Sequence, residues 1–410
     1  MIMVRMAGKN SPSSWQALSA LALGALAVEV GCDTKESNEA SAPPEEVQEA
    51  IADLLVDVWG KVVEPILTDA LSAANAMHTA NQAWGTALAN GEDGIAEQEA
   101  AQQAWHDAMY AWQVAEMVQI GPAGSSLKVT GGLDLRDEIY SWPTTNPCRV
   151  DQVTAKFDYE SETFFDDALV NVYGFDALET LLFSPANENV CPSQVSINRD
   201  GLWADLGADG VAASRAAYAQ VISAQIIANI TDIDEVWTTS FASDIATSGG
   251  VGSSFESYIL GVNAIFDALF YLETQTKDRK LGWPLGLTPC GEEDCTDEIE
   301  TPLAGGSQDW ITANLEGFRT LFTGGDGGGM DDLLISVGSQ AMVTNVIAAL
   351  DAADAATLNL SMPLDQGLSE ELEAVESAHT EVREVTTILK NDMATVLTLQ
   401  IPSEAAGDND

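Results

Sequence analysis

Basic side chains are scarce in this chain. Sixteen Lys and Arg stand against 64 Asp and Glu, for a formal net charge of −48 over 410 residues. Such a balance excludes ordinary nucleic-acid binding, which depends on Lys and Arg neutralising phosphates and releasing counterions. It also disfavours electrostatic docking on anionic lipid and favours cations or basic partners, although the same surplus serves solubility in a salty habitat. Histidine is nearly absent: His78, His106 and His379 are the three present, and none is spaced as the His-Glu-x-x-His of a zinc peptidase. No Gly-x-Ser-x-Gly elbow marks a serine hydrolase, and no Cys-x-x-Cys pair marks a zinc knuckle or a thioredoxin-type site. The glycines of 323–329 are not followed by the Lys and Ser/Thr of a phosphate loop, so they are expected to make a helix–helix turn. Alternating β-branched runs are scarce too, which argues against sheet.

What is present begins with an address. Arg5 and Lys9 precede an apolar stretch from Ala17 to Val28, which gives way to Glu29-Val30-Gly31-Cys32. A basic start, a short apolar run and a small residue before the cut form the pattern of an export signal over 1–31. The run is shorter than the roughly 20 residues needed to span a bilayer. Cys32 after Gly31 resembles the lipidated first residue of a bacterial lipoprotein, although Glu29 stands where that signal carries an aliphatic side chain. Membrane association is expected through this lipid anchor only. Residues 32–44 are polar, end in Pro43-Pro44 and read as a flexible tether. Four further cysteines, Cys148, Cys191, Cys290 and Cys295, are an even number in an exported chain and are expected to form disulfides. Of the three pairings, Cys148–Cys191 with Cys290–Cys295 is favoured because the second pair closes one short acidic loop.

Hydrophobic content of 46% is ample for a packed core. At roughly 100–200 residues per domain, the length suggests two or three domains. Ile51, Leu54, Leu55, Val58, Val62, Ile66 and Leu67 recur at spacings of three and four, the stripe of a core-facing helix, with Pro65 predicting a kink. A second helix is expected from Gly91 to Gly121-Pro122, and a long one capped by Ser369 with Glu370 and Glu371 in its first turn. Further helical runs are predicted at 155–183, 211–244, 254–277, 308–322 and 331–350. The fold class is all-α, with two helical bundles at 45–200 and 201–402, long irregular loops and an acidic tail at 403–410. Phe-Asp-Ala-Leu occurs at 175–178 and again at 266–269, a weak hint of duplication.

One constellation carries chemistry. Asp176 and Glu179 are three residues apart, which on a helix places both carboxylates on one face, close enough to share a cation. Oxygen ligands suit hard cations such as Ca²⁺ or Fe³⁺. Gly174 would allow a close approach by a neighbouring segment. The surroundings, Val172, Phe175, Leu178, Leu181 and Phe183, are apolar, so the charges need a metal, an arginine or hydrogen bonds. A purely structural Asp-x-x-Glu is the alternative. The acidic run Glu292-Glu293-Asp294 to Asp297-Glu298 lacks ordered calcium-ligand spacing and reads as a solvated loop.

The segment Gly174-Phe175-Asp176-Ala177-Leu178-Glu179 resembles the Gly-x-His-x-x-Glu region of the imelysin-like proteins, a family classed with peptidases. The likeness continues upstream in Ala104-Trp105, Trp112 to Glu116, Gly121-Pro122 and Ser141-Trp142-Pro143. Downstream it runs through Lys280 to Gly286, Thr301 to Gly305, and Gly324-Gly325 to Leu333-Leu334, covering roughly 45–402. The resemblance implies an exported, all-helical, two-domain protein with a site at the domain junction and a role in bacterial iron acquisition. Iron or an iron complex is the ligand it implies, calcium being the other cation that the paired carboxylates suit, and an envelope interaction scaffold with a degenerate site, partnered by a permease or receptor, is a further alternative. Here Asp176 replaces the motif histidine, which removes a neutral nitrogen ligand or histidine base and weakens the metallopeptidase alternative more than ion binding. Placement near family blocks makes Glu116 a candidate third carboxylate and Arg136 a candidate counter-ion, with a surface role the alternative for each.

Overall fold

The structure, a computed structural model, describes residues 43–185, 187–290, 295 and 298–406. The export signal, Cys32, most of the tether, the acidic loop apart from Cys295 and Glu298, and the last four residues of the tail lie outside the described residues.

The described residues are helical and contain no strand. The first stripe forms α1 (Glu45–Asp57) and α2 (Glu64–Ala89), joined through a wide π-wound turn, Val58–Val63. Pro65 is the second residue of α2, directly after the π-wound turn, whose wider winding accommodates the missing N–H in place of the expected kink. Helix α3 (Ile95–Ala115) stops before Gly121-Pro122. The run predicted at 155–183 is broken: α4 (Pro147–Lys156) and α5 (Phe175–Phe183) flank single turns, because Phe157 takes a left-handed φ of 58° and Gly174 one of 91°. Long α6 (Leu202–Val236) follows, then α7 (Tyr258–Leu269) and a π-wound stretch, Leu272–Gly282. The chain ends in α8 (Ser307–Thr323), α9 (Gln340–Leu358) and α10 (Leu372–Thr387). Ser369 does not cap α10. It lies inside a short helix, Leu364–Glu370, and bonds back to the Gln366 carbonyl, while Glu371 occupies the entry position.

Helices α2, α3 and α6 pack together, with α4 and α5 against α6, and α8, α9 and α10 form a second group with the stretch 272–282. Contact between α3 and α8 joins the groups, and one hydrophobic core runs from Ile51 to Ala405. A small satellite core of Ala155, Cys191, Ile197, Trp203 and Val211 sits beside it. It is tied by the disulfide Cys148–Cys191, and a second disulfide joins Cys290 to Cys295. The glycine run after α8 turns the chain into the helix Met330–Ser336 and lies on α1. The Gly328 amide donates to Asp57 Oδ2 at 2.9 Å, and a Cβ at Gly328 would meet Asp53 Cβ at 2.7 Å, so only glycine fits this approach.

Candidate functional site

Helix α5 is launched from a backbone that only glycine adopts readily. Gly174 has φ of 91°, and a Cβ there would meet the Ile139 carbonyl oxygen at 2.7 Å. This close approach sets Asp176 beside the segment that follows Ile139. Both acids are buried, Asp176 at 4% and Glu179 at 6% exposure. Asp176 Oδ2 accepts hydrogen bonds from Ser141 Oγ at 2.9 Å and from Thr145 Oγ1. Its Oδ1 is buried with no partner. Burial pushes the Asp176 carboxyl up to about 6, with the hydroxyls and the Arg136 charge pulling the other way.

Glu179 is held by backbone. Its Oε1 accepts the amides of Leu303 at 2.8 Å and Ala304 at 2.9 Å. The loop presents both amides because Thr301 takes a left-handed φ of 53°, fixed by Trp310 Nε1 donating to its hydroxyl at 2.9 Å. Burial raises Glu179 to about 7 against those two amides, and the charges of Asp176 and Glu300 push the same way.

Next to the acid pair lies a sealed network of charges. Glu116, at the end of α3, is fully buried and accepts from Arg136 Nε at 2.8 Å and from the Tyr271 hydroxyl. Lys280 Nζ lies 3.8 Å from Glu116 Oε2 and 3.1 Å from Glu300 Oε1. It also donates to Gln113 Oε1. Tyr140 donates to Glu300 Oε1 at 2.7 Å and Gln113 Nε2 donates to it at 3.0 Å, while Glu300 Oε2 is buried without a partner. Asn314 ties Gln113 to α8, donating to its carbonyl at 2.8 Å. Burial raises Glu300, offset by Lys280 and Tyr140, and burial with the neighbouring carboxylates pushes both tyrosines well above their usual range. Both phenols therefore remain hydrogen-bond donors at neutral pH.

The spacing-based pair thus shares one helix and one buried environment, but the expected third carboxylate is engaged elsewhere. Glu116 faces Arg136, Lys280 and Tyr271, and Arg136 serves it rather than clamping Asp176. Among the described residues, no group of three or more His, Cys, Asp and Glu side chains is arranged to hold a metal ion. The pair therefore offers a hard cation oxygens only, one of them an orphaned buried atom, and fewer than a complete shell. The histidines have other surroundings: His78 bonds Ser223, His106 packs among Trp105, Phe183 and Trp310, and His379 is buried on α10. Sequence reasoning missed Glu300, Tyr140, Tyr271 and Gln113. Glu300 follows an acidic run that reads as solvent-facing, Gln113 was visible only inside the Trp112–Glu116 family block, and the two tyrosines carry no local signal. Lys280 was visible only as part of a family block.

The chain belongs to the imelysin family, whose model matches residues 63–389. Two solved structures share the fold. One, described as an iron-regulated protein A precursor from Parabacteroides distasonis, has 16% identity and a TM-score of 0.65, covering 88% of this chain and 96% of that one. The other, an imelysin-like protein from Psychrobacter arcticum, has 20% identity and a TM-score of 0.64, covering 86% and 97%. Comparison with curated proteins gives no match.

Proposed function

We propose that this protein handles iron at the bacterial cell envelope, binding a ferric or similarly hard cation, Ca²⁺ included, through Asp176 and Glu179. The observation that carries the reading is the acid pair on α5: two buried carboxylates in one apolar setting, one with an oxygen that nothing in the fold satisfies. A positive guest would favour the ionised state of both and relieve the cost of burying them. Family membership and similarity to a protein described as iron-regulated support iron over other cations. Export by residues 1–31, lipidation at Cys32 and delivery to an envelope permease or receptor complete the proposal.

Calorimetry of the mature protein with Fe³⁺ and with Ca²⁺ tests it. Binding that Asp176→Ala with Glu179→Ala abolishes supports the assignment, and a double variant that binds as well as the parent overturns it. Asp176 in place of histidine removes the nitrogen ligand that a peptidase would use, so binding rather than cleavage is the proposed activity. Unfolded basic substrates incubated with and without chelator check that choice, since chelator-sensitive cleavage would reverse it.

A further inference from the structure

Glu376, His379, Thr380 and Arg383 follow one another at helical spacing, so they share one face of α10. That face meets the π-wound stretch Leu272–Gly282 across a cavity of about 370 Å³. Lys277 and Asp278 of the stretch, with Thr288 just after it, line the other side. Lys277 is 1% and His379 8% exposed, while Arg383 is half-buried and Glu376 is exposed.

Charge here is arranged unlike the rest of a chain with four acids for every base. Glu273, itself buried, is shared by two ammonium groups, Lys277 Nζ at 3.4 Å and Lys390 Nζ at 2.6 Å. Asp278 Oδ1 lies 3.0 Å from Lys277 Nζ. Arg383 is a further cation. Among the described residues, no carboxylate lies within 4.0 Å of its guanidinium and no hydrogen bond holds it, and the Glu376 carboxylate is equally without a partner. His379 responds to the resulting field. Burial lowers its imidazole to about 4, and the charges of Lys277 and Arg383 each add more than Glu273 opposes. The ring is therefore neutral at pH 7, and neither nitrogen is hydrogen-bonded among the described residues.

The two hydroxyls on the wall are already spent on backbone. Thr288 donates to the Asp278 carbonyl and Thr380 to the Glu376 carbonyl. What stays open is a guanidinium fork, an imidazole and one carboxylate. A guest that matches all three brings anionic oxygens for the cations and an O–H for Glu376. Sulfate has the first without the second and would meet Glu376 as a like charge. Inorganic phosphate keeps a P–OH through the neutral range beside its charged oxygens, whereas a phosphomonoester sheds its last proton near pH 6.

We propose that this cavity is a binding site for inorganic phosphate, in which Arg383 and Lys277 hold the charged oxygens and Glu376 accepts the P–OH. The site shares no residue with Asp176 and Glu179 and stands independently of the cation reading above. The charged groups around His379 are Lys277, Asp278 and Glu273 from the stretch and Glu376 and Arg383 from its own helix. An anion set between Lys277 and Arg383 offsets the two charges that oppose a proton on His379, so bound phosphate favours protonation of that ring.

Calorimetry of the mature protein at constant ionic strength, with sodium phosphate, sodium sulfate and glycerol phosphate, tests this alongside NMR titration of the three histidine rings. Phosphate is expected to bind, and sulfate and glycerol phosphate about tenfold more weakly or worse, the loss of one charge-assisted hydrogen bond. The His379 midpoint should rise from about 4 by about one unit or more with phosphate, and those of His78 and His106 should stay in place. Arg383→Gln should weaken phosphate by about tenfold or more, with Arg383→Lys recovering part. Glu376→Gln should bring sulfate close to phosphate. A parent that does not bind phosphate overturns the inference, and so does sulfate or glycerol phosphate bound as tightly. Binding that leaves His379 unmoved, or an Arg383→Gln protein of unchanged melting temperature that binds phosphate as well as the parent, overturns it too.

Discussion

Lys280 Nζ lies 3.1 Å from Glu300 Oε1 and 3.8 Å from Glu116 Oε2, with all three side chains sealed from solvent. One ammonium thereby compensates two carboxylates, helped by Arg136, two phenols and the Gln113 amide. Lys280→Met keeps the volume and removes the charge. It is expected to cost about 3–5 kcal/mol, the penalty for leaving buried charge unmatched. Urea denaturation at pH 7.5 measures it, and the loss should shrink at pH 5 because burial already raises Glu300 toward its protonated form.

The acid pair sets a pH dependence of definite sign. Glu179 titrates at about 7 in the fold against 4.5 as a free group, so the folded state holds a proton that the unfolded chain has lost between those values. Stability from this group is full below 4.5 and falls as pH rises through about 7. The swing is on the order of 3 kcal/mol. Asp176, at about 6, adds to it in the same direction. Glu179→Gln should flatten the change in melting temperature between pH 5 and pH 8, and an unchanged profile would contradict the assignment.

The hydroxyl of Ser141 holds Asp176 Oδ2 in its ionised form. Ser141→Ala should therefore move the Asp176 carboxyl above about 6, observable by carbon-detected NMR titration of that side chain. Thr145→Val should act in the same direction, since its hydroxyl donates to the same oxygen.

Gly174→Ala introduces a side chain at φ of 91° and drives it toward the Ile139 carbonyl. A loss of about 2 kcal/mol or more is expected from backbone strain alone, read by thermal or chemical denaturation. Ligand binding should weaken as well, because the same contact sets where Asp176 points.

The all-helical class was legible because stripes such as Ile51, Leu54, Leu55, Val58 and Val62 have a period that no strand can share. The three-residue spacing of Asp176 and Glu179 was legible for the same reason, and both indeed lie buried on α5. Helix boundaries were less so: the left-handed turns at Phe157 and Gly174 divide a run that apolar spacing alone would keep whole. The π-wound stretch from Leu272 to Gly282 leaves no mark in hydropathy, yet it decides that Lys280 turns inward while Arg279 stays near the edge. Glu300 was the hardest to see. Its sequence neighbours are acidic, and its partners Lys280, Tyr140 and Gln113 are 20, 160 and 187 positions away.

The bond between the Gly328 amide and Asp57 joins positions 271 residues apart. Traction entering at Pro43 would load α1 first, and this clasp passes the load to the turn between α8 and the helix Met330–Ser336. With the proposed anchor at Cys32, the chain would thus resist peeling from that end, sharing the strain with a late segment of its own.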